Sequence, residues 1–401
     1  MQNRRHTTVA VLLLLTMITP CLTWAQKKEL SQARSYVKSK KDYDKAEKLM
    51  VGLLKDSANR DDKRIYLVWY DAVRGQYDQA NERMYLKQKQ DTAQFFALCR
   101  RMFTVLESLD SVDMRPDKKG RVRPEYRERH ATMLDPYRKN LFGAGSYHLK
   151  RGENQLSYDY FEQYIDCARQ PLFAQFRYDS TDVRLNEAAY WATTAAYRMQ
   201  DGERALRYHQ MALCDTAKQQ FTLQYVAEAY RWLNDSDRYI ATLEQGFHRF
   251  PTAAYFFPRL YDAYTQKGTL DKALRLSDEG LAVDSLNQLF LFAKSTTLLR
   301  QERYGESVKV SKRLLELNDS LSEAYFNAGS AYLNIALKLD AQKDKKLLRT
   351  IYQQAREYLE TYRKRMPDEV QKWGMPLYRI YLNLNMGRQF DEIDRLLKNQ
   401  K

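Results

Sequence analysis

AAYWATTAAYRMQDGERALRYHQMAL, residues 188–213, contains two helical stripes of small and aromatic residues. A turn at Gln200 to Gly202 separates the two stripes. In the second stripe Ala205 and Ala212 stand seven residues apart, the spacing that places two side chains on one face of a helix. Small residues on such a face let another helix approach closely. The stretch therefore predicts a pair of closely packed helices.

The pattern returns at a fixed period. From Ala205, steps of 34 residues lead to Tyr239, Ala273 and Ser307, each at the equivalent place in a second helix. The same step of 34 residues separates Ala46 from Ala80. An unrelated helical bundle has no reason to keep such a period, whereas a solenoid of stacked repeats does. The sequence therefore predicts a repeat architecture.

This register resembles the tetratricopeptide repeat (TPR), a unit of about 34 residues whose pattern is an aromatic residue or Leu, then Leu-Gly, Tyr, Ala, an aromatic residue and Pro. Two of the clearest copies run through Leu141, Ala144, Gly145, His148, Gly152, Ser157 and Phe161, and through Phe257, Leu260, Tyr264, Gly268 and Ala273. The resemblance implies an all-α, right-handed superhelical solenoid of TPR-like helix-turn-helix repeats. It also implies a concave wall of first helices that holds peptides or partner domains.

The repeats are predicted to fill residues 26–401 as one continuous solenoid of about nine helix pairs. The intervals from Ser157 to Ala205 and from Ser307 to Ala355 exceed the period by the same amount, which indicates insertions near 171–182 and 338–349. We predict one degenerate unit around 91–135 and a C-terminal cap over 373–401.

Residues 1–25 have the pattern of a secretory signal peptide: two arginines, an apolar run and small residues before the cleavage point. We expect cleavage between Ala25 and Gln26 and export to a bacterial periplasm. An envelope lipoprotein attached through Cys21 and an extracellular destination are the alternatives. The apolar run is too short and too interrupted for a membrane anchor, and no later segment could span a bilayer.

The formal net charge is +15, from 66 basic and 51 acidic residues. In an exported protein this charge argues for polyanionic glycans, anionic lipid head groups or acidic proteins rather than nucleic acid. The other interpretation is a mildly basic surface without a dedicated ligand.

No motif typical of catalysis, cofactor binding or metal binding occurs. We therefore predict no catalytic, cofactor or metal site, and keep an enzyme whose site is assembled from distant residues as an alternative. Cys99, Cys167 and Cys214 have no metal-binding spacing. Three free, half-buried thiols are expected, and a bridge between Cys167 and Cys214 stays open.

Asp followed by Ser or Thr recurs, mostly where one repeat is expected to meet the next. Such residues cap helix N-termini. The pattern also resembles the acceptor of some Gram-negative periplasmic O-glycosylation systems, which would make the candidate sites Ser57, Thr92, Ser111, Ser180, Thr216, Ser285 and Ser320.

In the TPR register, the groove-facing positions of the first helices are Tyr190, Thr194, Tyr197, Arg198, Glu228, Arg231, Trp232, Arg259, Asp262, Asn327 and Asn334. Aromatic rings and arginines are favoured binding anchors. We expect a non-catalytic scaffold or adaptor that binds proteins or peptides of the cell envelope. The alternatives are a basic module for polyanionic glycan or lipid head groups, and aromatic residues that only fill gaps between repeats.

Overall fold

A computed structural model describes residues 26–117 and 119–398, and the regular structure in these ranges is helical throughout. The predicted signal peptide, including Ala25, lies outside them. None of the helices described combines the length and the hydropathy needed to cross a bilayer. The chain divides into two compact units, one ending at Leu233 and the other beginning at Asn234. No Pro/Ser-rich linker marks this boundary in the sequence.

Unit 1 consists of α-helices joined by short turns, with 3-10 turns at Ser57–Asn59 and Pro171–Phe176. Its helices are α1 (26–39), α2 (Tyr43–Leu53), α3 (Lys63–Tyr85), α4 (Thr92–Asp113), α5 (Arg127–Lys150), α6 (Asn154–Asp166), α7 (Tyr178–Thr181), α8 (Leu185–Arg198), α9 (Gly202–Arg207), α10 (His209–Ala212) and α11 (Gln219–Trp232). Helices that follow each other along the chain pack together, such as α3 with α4 and α5 with α6.

Unit 2 repeats the same arrangement. Its helices are α12 (Ser236–Arg249), α13 (Phe256–Gln266), α14 (Leu270–Val283), α15 (Gln288–Arg300), α16 (Tyr304–Leu317), α17 (Ser322–Lys338), α18 (Lys345–Arg365), α19 (Val370–Asn383) and α20 (Gly387–Lys398). The predicted C-terminal cap corresponds to α19 and α20.

The predicted period also appears in the backbone. Gln200, Asn234, Gly268 and Glu302 each have a positive φ, between 57° and 73°, and they are separated by the same step as the repeats. Each follows the first helix of a pair, where a left-handed residue lets the chain reverse into the second helix. The predicted all-α class of TPR-like helix-turn-helix repeats is confirmed.

One part of the predicted register is wrong. Ala46 lies on α2, a second helix, but Ala80 lies on α3, the first helix of its pair. The spacing between them is therefore not a repeat, because α3 and α4 have 23 and 22 residues and lengthen this pair. The region predicted to be degenerate contains α4, a loop and the start of α5.

The predicted insertion at 171–182 forms a 3-10 turn followed by α7. It is attached through Arg138 of α5, which is buried. The guanidinium lies 3.8 Å from the ring centroid of Tyr164 and 4.0 Å from that of Tyr178, and it donates to Asp182 at 2.6 Å. A cation held between two rings and paired with a carboxylate keeps the insertion against α5 and α6.

Glycines allow consecutive repeats of unit 2 to pack closely. A Cβ on Gly280 of α14 would lie 2.8 Å from the ring of Phe290 on α15. One repeat earlier, Gly246 of α12 is approached in the same way by Phe256 of α13. Both rings are almost fully buried, so neither has room to move aside. The backbone-to-ring contact therefore recurs with the repeat.

We expect Gly280→Ala to lower the free energy of unfolding by about 1–3 kcal/mol, because the added methyl group overpacks a buried contact. Urea denaturation measures the change. Gly305→Ala in α16 is the matched control, since a Cβ there meets nothing within 4 Å. The control should be neutral or slightly stabilising, and equal losses in both variants would contradict the packing argument.

Candidate functional site

Four aromatic side chains of unit 1 form a continuous stack, here called the aromatic row: Tyr190 and Tyr197 of α8, and Tyr225 and Trp232 of α11. Ring centroids lie 6.2 Å apart for Tyr190–Tyr225, 4.3 Å for Tyr197–Tyr225 and 5.6 Å for Tyr197–Trp232. On each helix the two rings are seven residues apart and share a face. The structure thus brings together three of the predicted groove residues.

Tyr225 is the member of the row that the sequence analysis missed. The sequence does contain a pattern that could have identified it: Tyr225 lies seven residues before Trp232, just as Tyr190 lies seven residues before Tyr197. Burial, with Tyr190 beside it, raises the pKa of Tyr225, so its hydroxyl stays protonated. Tyr190 is buried, whereas the other three rings are half-buried and keep part of their surface accessible.

Charged groups border the row. Arg198 is exposed and donates to the Leu149 carbonyl oxygen at 3.3 Å. Arg231 is also exposed, and its guanidinium donates to the buried Glu228 carboxylate at 2.7 Å. Removal of Arg231 would therefore leave a buried charge without this partner. Arginine at the border and tyrosine hydroxyls in the row provide hydrogen-bond donors beside an apolar surface.

The remaining predicted groove residues are placed differently. Thr194 is buried, and its hydroxyl donates to the Tyr190 carbonyl oxygen at 2.9 Å. In unit 2, Asn327 is buried and donates to two hydroxyls of α15, at 2.9 Å each. Asn334 is half-buried and donates within α17. Arg259 and Asp262 are exposed on α13. The buried members contribute to packing, so only the accessible ones can contact a partner.

A half-buried acidic group lies between α4 and α6. Burial raises the pKa of Glu107 to about 7, although the Gln163 amide donates to its carboxylate at 3.4 Å. The nearby Cys167 thiol is fully buried, which raises its pKa well above the usual range. A buried, protonated thiol lacks the thiolate character that nucleophilic catalysis requires.

We expect Glu107→Gln to raise the free energy of unfolding at pH 8 by up to about 3 kcal/mol and to leave it unchanged at pH 4. The folded-state pKa lies above the unfolded value of about 4.3, so the folded state binds the proton more tightly. Stability is thus lost as the pH rises from about 4 to 7, when the half-buried Glu107 carboxyl must ionise. Urea denaturation at both pH values measures the difference.

The control for this variant is Glu357→Gln, on an exposed position of α18. It makes the same substitution at an exposed site, where the effect of burial expected for Glu107 is absent. The interpretation is wrong if the difference between Glu107→Gln and the unaltered chain is the same at pH 4 and pH 8.

The three cysteines of the described chain are free. Cys99 and Cys167 are fully buried and Cys214 is exposed, which corrects the expectation that all three are half-buried. Within residues 26–117 and 119–398, no group of three or more His, Cys, Asp or Glu side chains is arranged to hold a metal ion.

The predicted glycosylation sites lie at the surface, with Thr92 half-buried and the others exposed. Asp56 and Asp91 cap helical segments as expected, accepting from the amides of Ala58 and Ala93. Ser111, by contrast, lies inside α4 rather than in a turn between repeats. Modification at these sites stays a prediction.

No protein-family model matches the chain, and no curated protein matches it. Among solved structures, the chain is similar to the C-terminal part of a TPR repeat-containing protein from Cytophaga hutchinsonii, at 10% identity over 63% of this chain and 92% of that one, with a TM-score of 0.43. It is also similar to yeast Tom70, at 13% identity over 95% and 94% of the two chains, with a TM-score of 0.31. These TM-scores and identities are low, and the fold assignment rests on the helix pairs themselves.

Proposed function

We propose that this protein is a non-catalytic scaffold that binds an extended segment of a partner protein on the aromatic row. The observation that carries the proposal is the stack of Tyr190, Tyr197, Tyr225 and Trp232, with arginines at its border. Rings held in place by stacking lose little conformational freedom on binding. Three half-buried rings offer apolar faces, and the arginines offer donors to backbone carbonyls of a peptide.

The proposed location is the bacterial periplasm, and the partners are proteins of the cell envelope. The support is the signal-peptide pattern of residues 1–25, whose cleavage point precedes Gln26. A lipoprotein or an extracellular protein would keep the same binding surface.

We expect the exported protein to begin at Gln26, because small residues stand at the positions that signal peptidase reads. Intact-mass measurement of the protein recovered from the producing cell tests this. A mature N-terminus at Cys21 carrying lipid would contradict it and would favour the lipoprotein alternative.

A photo-crosslinking residue placed at position 232 identifies the direct partner. An aromatic crosslinker such as benzoylphenylalanine in place of Trp232 preserves much of the stack with Tyr197. The matched control is the same residue in place of Val183, which is 93% exposed and lies outside the row. Discrete protein adducts at 232 but not at 183 support the proposal, whereas identical adducts at both positions contradict it.

With that partner purified, we expect Trp232→Ala to weaken binding by about 2 kcal/mol, which is roughly 30-fold in Kd. Arg231 is kept, because its loss would disturb Glu228. Titration calorimetry measures Kd, thermal melting verifies the fold, and Val183→Ala is the control. A well-folded Trp232→Ala variant with unchanged Kd would move the binding surface away from the row.

A further inference from the structure

The C-terminal end of α3 carries an exposed apolar tip. Ala80 is the last buried residue of this helix, and residues 81–89 are all exposed. Within them Met84, Tyr85 and Leu86 are 41%, 85% and 55% exposed. Three consecutive exposed apolar residues give the folded chain little packing energy and favour association with another apolar surface. These three residues are called the α3 tip.

The α3 tip has a defined backbone structure although it lacks core contacts. Lys87 adopts a left-handed conformation with φ of 54°. Its amide donates to the Met84 carbonyl oxygen at 3.1 Å, and the Gln88 amide donates to that of Arg83 at 2.9 Å. These two bonds form a Schellman motif, which closes the helix end. The apolar side chains are therefore held at the surface in a fixed arrangement.

Two neighbouring turns flank the turn after α3. The Gln79 side chain of α3 donates to the Lys40 carbonyl oxygen at 3.1 Å, which places the α1–α2 turn alongside α3. On the other side, the rings of Phe96 near the start of α4 and Tyr147 near the end of α5 lie 5.6 Å apart. The α5–α6 turn begins at Arg151, about one helical turn after Tyr147. The three turns thus form one edge of unit 1.

This edge is strongly cationic. The segments 38–41, 83–90 and 150–152 contain no acidic residue. Their exposed lysines, which make no ion pair with any residue in the described ranges, are Lys38, Lys40, Lys41, Lys87, Lys89 and Lys150. Each of the three turns also contains one acid, and each acid is engaged elsewhere: Asp42 pairs with Lys45 at 2.8 Å, Asp91 caps α4 by accepting from the Ala93 amide, and Glu153 pairs with Arg151 at 3.0 Å. Six lysines without an ion-pair partner in the described ranges outnumber the three acids of the turns and leave a net positive field around the apolar tip.

We propose that this edge docks on an anionic lipid surface, with the α3 tip in the interfacial region and the six lysines over the head groups. The tip projects outward, so a bilayer can accept it without the preformed pocket that a protein partner would need. Tyrosine suits the interface because its ring is apolar and its hydroxyl stays wet. Lysine stems can lie along apolar surface while their ammonium groups reach anionic head groups. The docking is peripheral and separate from the aromatic row.

A fluorophore at position 85 tests the docking locally in the full chain. Cys214→Ser removes the exposed thiol, and the buried Cys99 and Cys167 are shielded from labelling. Tyr85→Cys is then labelled with an environment-sensitive dye, and Val183→Cys is the matched exposed control. With phosphatidylglycerol vesicles we expect a blue shift at position 85 and none at 183, and with phosphatidylcholine vesicles none at either. The dye responds only to the surroundings of the labelled residue. Vesicle binding through residues 1–25 would therefore not by itself produce a blue shift at position 85.

A charge-reversal variant provides a second test of the docking. Lys87→Glu with Lys89→Glu, in the chain labelled at position 85, should lower the apparent vesicle affinity at least tenfold and leave the melting temperature unchanged, because both side chains are exposed. The proposal is overturned if position 85 stays in a water-like environment at saturating anionic vesicles, or if charge reversal has no effect. Retention on heparin without a vesicle response would also overturn it and would assign the lysines to a polyanionic glycan.

Discussion

The repeats of this protein depend on the close approach of an aromatic ring to the backbone of a neighbouring helix. Gly145 admits the ring of Phe161 in unit 1, and Gly246 and Gly280 admit Phe256 and Phe290 in unit 2. A side chain at any of these glycines would occupy the space of the ring. The residue types at the two positions are therefore coupled, and the coupling fixes how far apart the helices lie. This constraint explains why small and aromatic residues recur together.

The same constraint makes much of the fold readable from the sequence. A packing contact that recurs in every repeat leaves a periodic pattern, and Ala205, Ala273 and Ser307 are indeed fully buried on second helices. The pattern gave a wrong register at Ala80. Because α3 is longer than the usual first helix, Ala80 falls in this first helix instead of in the second helix of its pair, although the residue type fits the pattern. Arg138 was also missed, since its partners Tyr164 and Asp182 come from distant parts of the sequence.

The aromatic row shows how packing and binding can use the same side chains. Tyr190 is buried against its neighbours, so at this end of the row the gap-filling interpretation holds. Tyr197, Tyr225 and Trp232 stack on each other and still keep part of their surface accessible. The register predicted which helices would carry these rings. It could not predict that Thr194 and Asn327 are buried, because their hydrogen bonds depend on side-chain positions that the period does not specify.

The turns along the cationic edge are not explained by backbone requirements alone. In most pairs a left-handed residue follows the first helix, and glycine adopts that conformation without strain, as at Gly152 and Gly268. On this edge Lys40 and Lys87 occupy the equivalent position, with φ of 57° and 54°. A non-glycine residue in this conformation costs about 1–2 kcal/mol. Turn geometry thus gives lysine no advantage over glycine. The same strain is tolerated at Gln200, Asn234 and Glu302, so the left-handed conformation by itself requires neither a lysine nor a ligand. The cationic edge differs from those turns because its lysines lie beside an exposed apolar tip, and an anionic lipid surface, as proposed above, would match both features.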